Sequence, residues 1–471
     1  MAGEAIGHGA TVAFLKNPAA WGGAAAVAGA GHGIEIDRSS MRTDSQLIEL
    51  MGVTGKKSQM PAVKGNELTA GDIGPMDLYY DGCQAMIAQV GGIAGVPSTP
   101  AGATTARMHV IKMADSHKGI YGTLVEKSGA AIREWPFVKM TGYTIECESG
   151  QAAKLTLNAF ASHINYNQGV SSVANVVASA APANVVYAIV GGGPFIPPEP
   201  TPLRITYTVV GGAVTAFFLT ITGLNRHGDV EILVWSKATD ALVFNTPANW
   251  VSVISVVGSG LIGTIGTDTV QVGSTNGMNN DTTVAAITYP ADRALVVFAG
   301  MRIYINDQGG AALDATVVKG IRRLRLAQTL NLKQSVTTKG RRITDEPLSD
   351  GFSNTELSFG FERWSTVTGD ELNHDLLKDY LRKTKKKVKI EWLGPIIETV
   401  TNVSFQYRLT AYLNNVVFTD GQPAFSGPGQ MALDIAGRAF RATAIPTGFP
   451  TGYTDPCTLE LVNTNVADAL A

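Results

Sequence analysis

Charge, cysteine and long apolar runs are all scarce in this 471-residue chain, and each scarcity excludes a class of function. Charged residues are 16% of it and sum to a formal net charge of −2, so it carries no basic footprint of the kind that grips a phosphate backbone. Any contact with DNA is expected to be passive. The three cysteines, Cys83, Cys147 and Cys457, stand far apart and in no CxxC or Cys/His spacing. They read as small buried thiols rather than disulfides or zinc ligands, which suits a reducing cytoplasm. No run of about 18 apolar residues occurs, and the N-terminal MAGEAIGHGATVAFLKNPAAW lacks a basic segment followed by an apolar one. Neither a membrane span nor a secretion signal is expected. The histidines keep no HxH or HExxH spacing, no GxSxG is present, and Gly191-Gly192-Gly193-Pro194 is followed by no GK[ST]. No catalytic residue, metal or cofactor is expected, and the chain does not read as an enzyme.

What is abundant is the vocabulary of a mainly β protein: 52 glycines, with many Ala, Val and Thr residues. The stretch 351–395 shows the grammar best. In GFSNTELSFGFERW, Phe352, Leu357, Phe359 and Phe361 alternate with small or polar residues, as in a strand with one buried face. In ELNHDLLKDYLRKT, Leu372, Leu376, Leu377, Tyr380 and Leu381 recur at helical steps, acidic at the front and basic at the back. KKKVKIEWLGP then returns to an extended pattern. A weaker version of the same series lies earlier, with a helix expected from Pro75 to Gly92. Both series close on a Gly-Gln pair and a strand ending in Phe, Gly150-Gln151 to Phe160 and Gly429-Gln430 to Phe440. An internal duplication accounts for these parallels; the competing account is that two β domains share turn residues.

Domain boundaries follow. Residues 1–45, rich in Gly and Ala, read either as an extended arm ordered on a partner or as a floppy leader. Residues 46–168 and 291–445 read as two β-sandwich or barrel folds, each with a flanking helix, and 446–471 as a C-terminal tail. Residues 169–290 read as linkers around an inserted immunoglobulin-like sandwich with its core at 203–273, where strand-like runs alternate with Gly-rich turns.

Three groups stand out as candidate contact surfaces. Lys339, Arg341, Arg342, Asp345 and Glu346 form the charged tip of a polar loop, read as an exposed intersubunit salt-bridge patch rather than an acid/base pair. Lys385, Lys386 and Lys387 belong to a basic run flanked by Asp379 and Glu391, read as a subunit-facing surface. Trp235 and Trp250 are the candidate exposed aromatics of the insert. Residues 119–133 and the N-terminal arm are further candidates for contacts between stacked rings.

A resemblance ties these readings together. Met76-Asp77-Leu78-Tyr79-Tyr80-Asp81-Gly82, the segment from Phe137 to Tyr143 with Glu148-Ser149-Gly150-Gln151, and Glu346-Pro347-Leu348-Ser349-Asp350-Gly351 resemble, in type and order, motifs of bacteriophage tail tube proteins, the major tail proteins of long-tailed phages. The similarity covers residues 10–168 and 290–445, and the insert resembles immunoglobulin-like decoration domains of some phage tails. The resemblance implies a virion tail protein made in the host cytoplasm. Its copies would stack as rings around a channel that DNA crosses without specific binding, beside a tape measure protein and other tail proteins. Most such rings have six single-fold subunits, so two folds per chain imply a trimeric, pseudo-hexameric ring, with a hexamer as the alternative. The competing function is a capsid-decoration or receptor-binding β protein whose insert binds a host glycan.

Overall fold

The computed structural model describes residues 10–17, 21, 25–48, 63–128, 131–167, 172–197, 202–225, 228–246, 250–274, 279, 281–289, 294–313, 318, 320–336, 344–361, 371–422 and 433–470. The chain is mainly β, as its composition predicts. Its first part contains β1 (Thr11–Lys16), β2 (Arg42–Ile48), β3 (Val63–Asp77), α1 (Gln84–Gly91), β4 (Gly92–Ile93), β5 (Arg107–Met113), β6 (Gly122–Ser128), β7 (Ala131–Glu148), β8 (Lys154–Ala161) and β9 (Asn165–Asn167). The middle contains β10 (Ser172–Ala180), β11 (Val186–Tyr187), β12 (Leu203–Thr208), β13 (Ala213–Asn225), β14 (Val230–Ser236), β15 (Val243–Asn245), β16 (Trp250–Thr264) and β17 (Thr269–Ser274). After α2 (Asp281–Ala285) come β18 (Met301–Asp307), β19 (Ile321–Thr329), β20 (Leu332–Lys333), β21 (Leu348–Ser349), β22 (Asn354–Phe361), α3 (Glu371–Arg382), β23 (Lys386–Val400), β24 (Val403–Asp420), β25 (Leu433–Phe440) and β26 (Thr458–Asn463).

One pairing scheme occurs twice, in the same chain order. In the first part β1 pairs with β6, β6 with β7, β7 with β8 and β9, β8 with β3, and β3 with β2. In the second, β18 pairs with β23, β23 with β24, β24 with β25 and β26, β25 with β22, and β22 with β19. All are antiparallel, and α1 and α3 follow the third strands of the scheme, β3 and β22. The two units are not separate bodies. β7 pairs with β19 from Gly142 opposite Thr329 to Glu148 opposite Arg323, and β26 pairs with β5, so one hydrophobic core runs from Val12 to Ala469. Gly142 is needed at that junction: a Cβ there would sit 2.6 Å from the Gln328 carbonyl oxygen.

Several expectations change. The presumed arm is part of the first unit, because β1 pairs with β6 and buries Val12 and Phe14, while Ile34 donates its N–H back to the Val12 carbonyl. The presumed tail supplies β26, whose six residues are all buried between β24 and β5. The first helix starts at Gln84, not near Pro75; Met76 and Asp77 are held in β3 opposite Leu155 and Lys154. Pro75, which has no N–H to donate, sits where the β3–β8 register slips, the position a sheet tolerates. Gly92 ends α1 in the left-handed region at φ 85°, close to the stop read from the sequence. The second helix lies where its periodicity predicts, with Leu376 fully buried, but Phe352 falls before β22 and is exposed.

The insert has its own core between two four-stranded sheets, β10-β17-β12-β15 and β11-β16-β13-β14. It begins earlier than the sequence implied, since β10 and β11 occupy the stretch read as a linker. Ser172 and Ser274 are Cα partners across β10 and β17, so entry and exit lie side by side. That geometry lets the domain interrupt the body at one point.

Candidate assembly site: a charged sheet face between two edges

Eight strands run as neighbours through both units in the order β2-β3-β8-β7-β19-β22-β25-β24. Strand alternation turns Leu155, Leu157, Ile145, Leu324, Leu326, Leu357, Phe359 and Ile435 into the core. The opposite parity presents charge to solvent in ion pairs, most of them across strands. Arg323 meets Asp434 at 2.8 Å; Arg325 lies 3.3 Å from Glu146 and 3.8 Å from Glu356; Arg438 lies 3.6 Å from Glu356. Toward the other end Lys154 lies 2.8 Å from Asp77 and 3.2 Å from Asp37, and Arg42 lies 3.4 Å from Asp44. Exposed pairs of this kind stabilise a fold by about 0–1 kcal/mol each. Their chemical effect is neutralisation: each of these five cations already has a carboxylate beside it, so among the described residues the face offers an approaching polyanion no free basic row.

The structure redistributes the residues read as contact surfaces. Lys339, Arg341 and Arg342 lie outside the described residues. Glu346 turns inward, accepting hydrogen bonds from Lys139 Nζ at 2.7 Å and from the Gly119 N–H at 2.6 Å. Lys139 is buried; burial pushes its pKa down and Glu346 partly offsets that. Asp345 is half-buried and donates its backbone N–H to the Ser335 carbonyl. These two acids tie the loop to the body rather than forming an exposed patch.

Of the three candidate lysines 385–387, only Lys385 is exposed. Lys386 is held between Asp307 and Asp379, each at 2.7 Å. Burial alone would lower its pKa, but the hydrogen bonds to the two aspartates outweigh it and the net shift is upward. Lys387 is fully buried, donating to the carbonyls of Gly310, Ala311 and Thr447 at 3.0, 2.6 and 2.9 Å. Trp235 and Trp250 are likewise fully buried at the centre of the insert, donating their indole N–H groups to the Ala241 carbonyl and Thr246 Oγ1. What β14 exposes is the other parity, Val230, Ile232 and Val234.

Sequence reading missed the charged face itself. The alternation that builds it is visible in IRRLRLAQT and LDIAGRAF, but the neighbour of each strand is not. It also missed His109, buried with Nε2 3.1 Å from Asn463 Oδ1 and 3.0 Å from the Asn465 carbonyl, which anchors β5 to the last strand. Residues 119–133, named as candidates for contacts between stacked rings, contain β6. Of the motifs that carried the resemblance, 76–77 end β3, 137–143 lie inside β7 with the Glu148–Gln151 turn after it, and 346–351 surround β21. Among the described residues no helix is long and apolar enough to cross a membrane. No protein-family model matches the chain, and no curated protein sequence matches it.

Proposed function

We propose that this chain is a structural subunit of a bacteriophage tail tube, assembled in the host cytoplasm and carried in the virion tail, where stacked rings conduct the genome. The observation that carries the reading is the doubled pairing scheme, which gives one chain two equivalent units in a single continuous sheet. Two units per chain make a three-chain ring the counterpart of a six-part ring. Three copies of the eight-strand sheet, at about 4.8 Å per strand, give a perimeter of about 115 Å. The backbone diameter is then about 37 Å before strand tilt widens it, a bore on the scale of one nucleic-acid duplex. Six chains would double it. The ion-paired face, turned inward, would let DNA pass without holding it, and the insert would stand away from the bore as a surface domain. The tape measure protein would occupy the same bore before the genome does.

The glycan-binding alternative leaned on exposed tryptophans, and Trp235 and Trp250 are core residues. Negative-stain microscopy of the purified chain at high concentration should show filaments, and mass per ring from cryo-microscopy should correspond to three chains. A discrete oligomer that never forms filaments would sink the tube; a ring of six chains would sink the role assigned to the doubled unit.

A further inference from the structure

We infer that β2 of one copy pairs with the end of β24 in another, repeating between chains the junction that β7 and β19 make within one. The inference rests on the tube reading and names the surfaces that would close its ring. Inside the chain, β6 pairs with the first part of β7 up to Val138, and β19 then takes β7 from Gly142 to Glu148. In the second unit β23 pairs with β24 from Val403 to Val416, while β26 and β25 occupy the other side of β24, at Arg408–Tyr412 and Asn415–Asp420. Beyond Val416 the β23 side of β24 has no strand partner among the described residues. That is the place β19 fills on β7.

The counterpart of β19 in the doubled scheme is β2, and β2 pairs only with β3 among the described strands. The faces agree. Val417 stands opposite Arg438, and the register slip before Asp420 sets it opposite Ala436, so both belong to the charged face. Arg42 stands opposite Ala70, itself opposite Phe160, on the same face. An antiparallel approach brings Arg42 of the incoming copy to the Asp420 end of β24, as Arg323 stands opposite Glu148. In both junctions an arginine meets an acid. The interface joins two different edges head to tail, so it repeats until the rotation closes a ring. Exposed Arg42 and Asp44 on β2 suit an edge that must reject wrong partners while it waits.

Oxidative cross-linking of the full chain tests this, since the native Cys83, Cys147 and Cys457 are buried. An Arg42→Cys/Asp420→Cys double variant should give covalent species that end at three chains on a denaturing gel. Either single variant should give none, and a mixture of the two singles should stop at two chains. Should that variant fail to fold, Asp44→Cys with Val417→Cys probes the same edge one pair further along. Filaments of the variant without cross-links overturn the edge assignment and leave the tube standing. Cross-links without filaments from the unmodified chain keep the edge pairing and overturn the tube. Neither filaments nor cross-links overturns both.

Discussion

Glu398 shows how little sequence spacing says about a carboxylate. It lies in β23 yet accepts hydrogen bonds from the backbone N–H groups of Thr104, Thr105 and Ala106, at 2.9, 2.7 and 2.8 Å, and from the Thr104 hydroxyl. The hydroxyl contact first, then the three amides, lower its pKa from the ordinary 4.5 to about 2. The sign follows from linkage: a carboxylate more acidic when folded contributes stability above its unfolded pKa and loses it as the pH falls through the folded value. Between about pH 4.5 and 2 the loop at 104–106 should therefore release from the hairpin. Hydrogen exchange at those three amides should accelerate through that window, and Glu398→Gln should exchange fast at neutral pH too. Exchange that is flat with pH in the native chain would contradict the assignment. The inward turns of Lys139, Lys386 and Lys387 follow a related rule, since a buried ammonium persists only where acceptors meet it.

At the scale of elements, the insert and the body differ in how they depend on each other. Trp235, Trp250, Phe217 and Tyr207 sit in a core that shares no member with the body's core, and the insert's ends are strand partners. Replacing residues 172–274 with a short Gly/Ser linker should leave the body folded, and the excised segment should fold by itself. Calorimetry checks this: the full chain should show two transitions, and the excision should remove one and leave the other within about 2 °C, a shift worth about 1.5 kcal/mol in a body of this size. A single shared transition would contradict it. No such excision is open to the two units, because β7–β19 and β26–β5 bind them into one sheet. Removing the first 35 residues, natural for an arm, would strip β1 from β6 and uncover the core around Phe14.

For the whole molecule, the balance of charge on the long sheet face sets its behaviour toward nucleic acid. Glu146→Gln, Glu356→Gln and Asp434→Asn together leave Arg323, Arg325 and Arg438 without their partners and add three units of positive charge to the face. The native chain should not retain duplex DNA in filter binding at moderate salt. The triple variant should retain it, with log affinity falling against log salt by about 0.9 for each phosphate contacted. Equal retention by both would show that the paired carboxylates do not screen these arginines.

Composition and periodicity alone indicated the mainly β class, the second helix and a strand-rich insert, and suggested the parallel between two halves without excluding shared turn residues, because each is written in local spacing and turn chemistry. It took the tertiary arrangement to show that the two halves share one core, that β1 and β26 are strands of the body, and that Lys386, Lys387, Trp235 and Trp250 turn inward. The physical reason is strand pairing. Alternation along a strand divides its side chains into two faces, but which face is buried, and which distant strand supplies the opposite charge, depends on neighbours far away in sequence. Arg325 and Glu146 are 179 positions apart by their numbers and adjacent in the sheet, where one cancels the other.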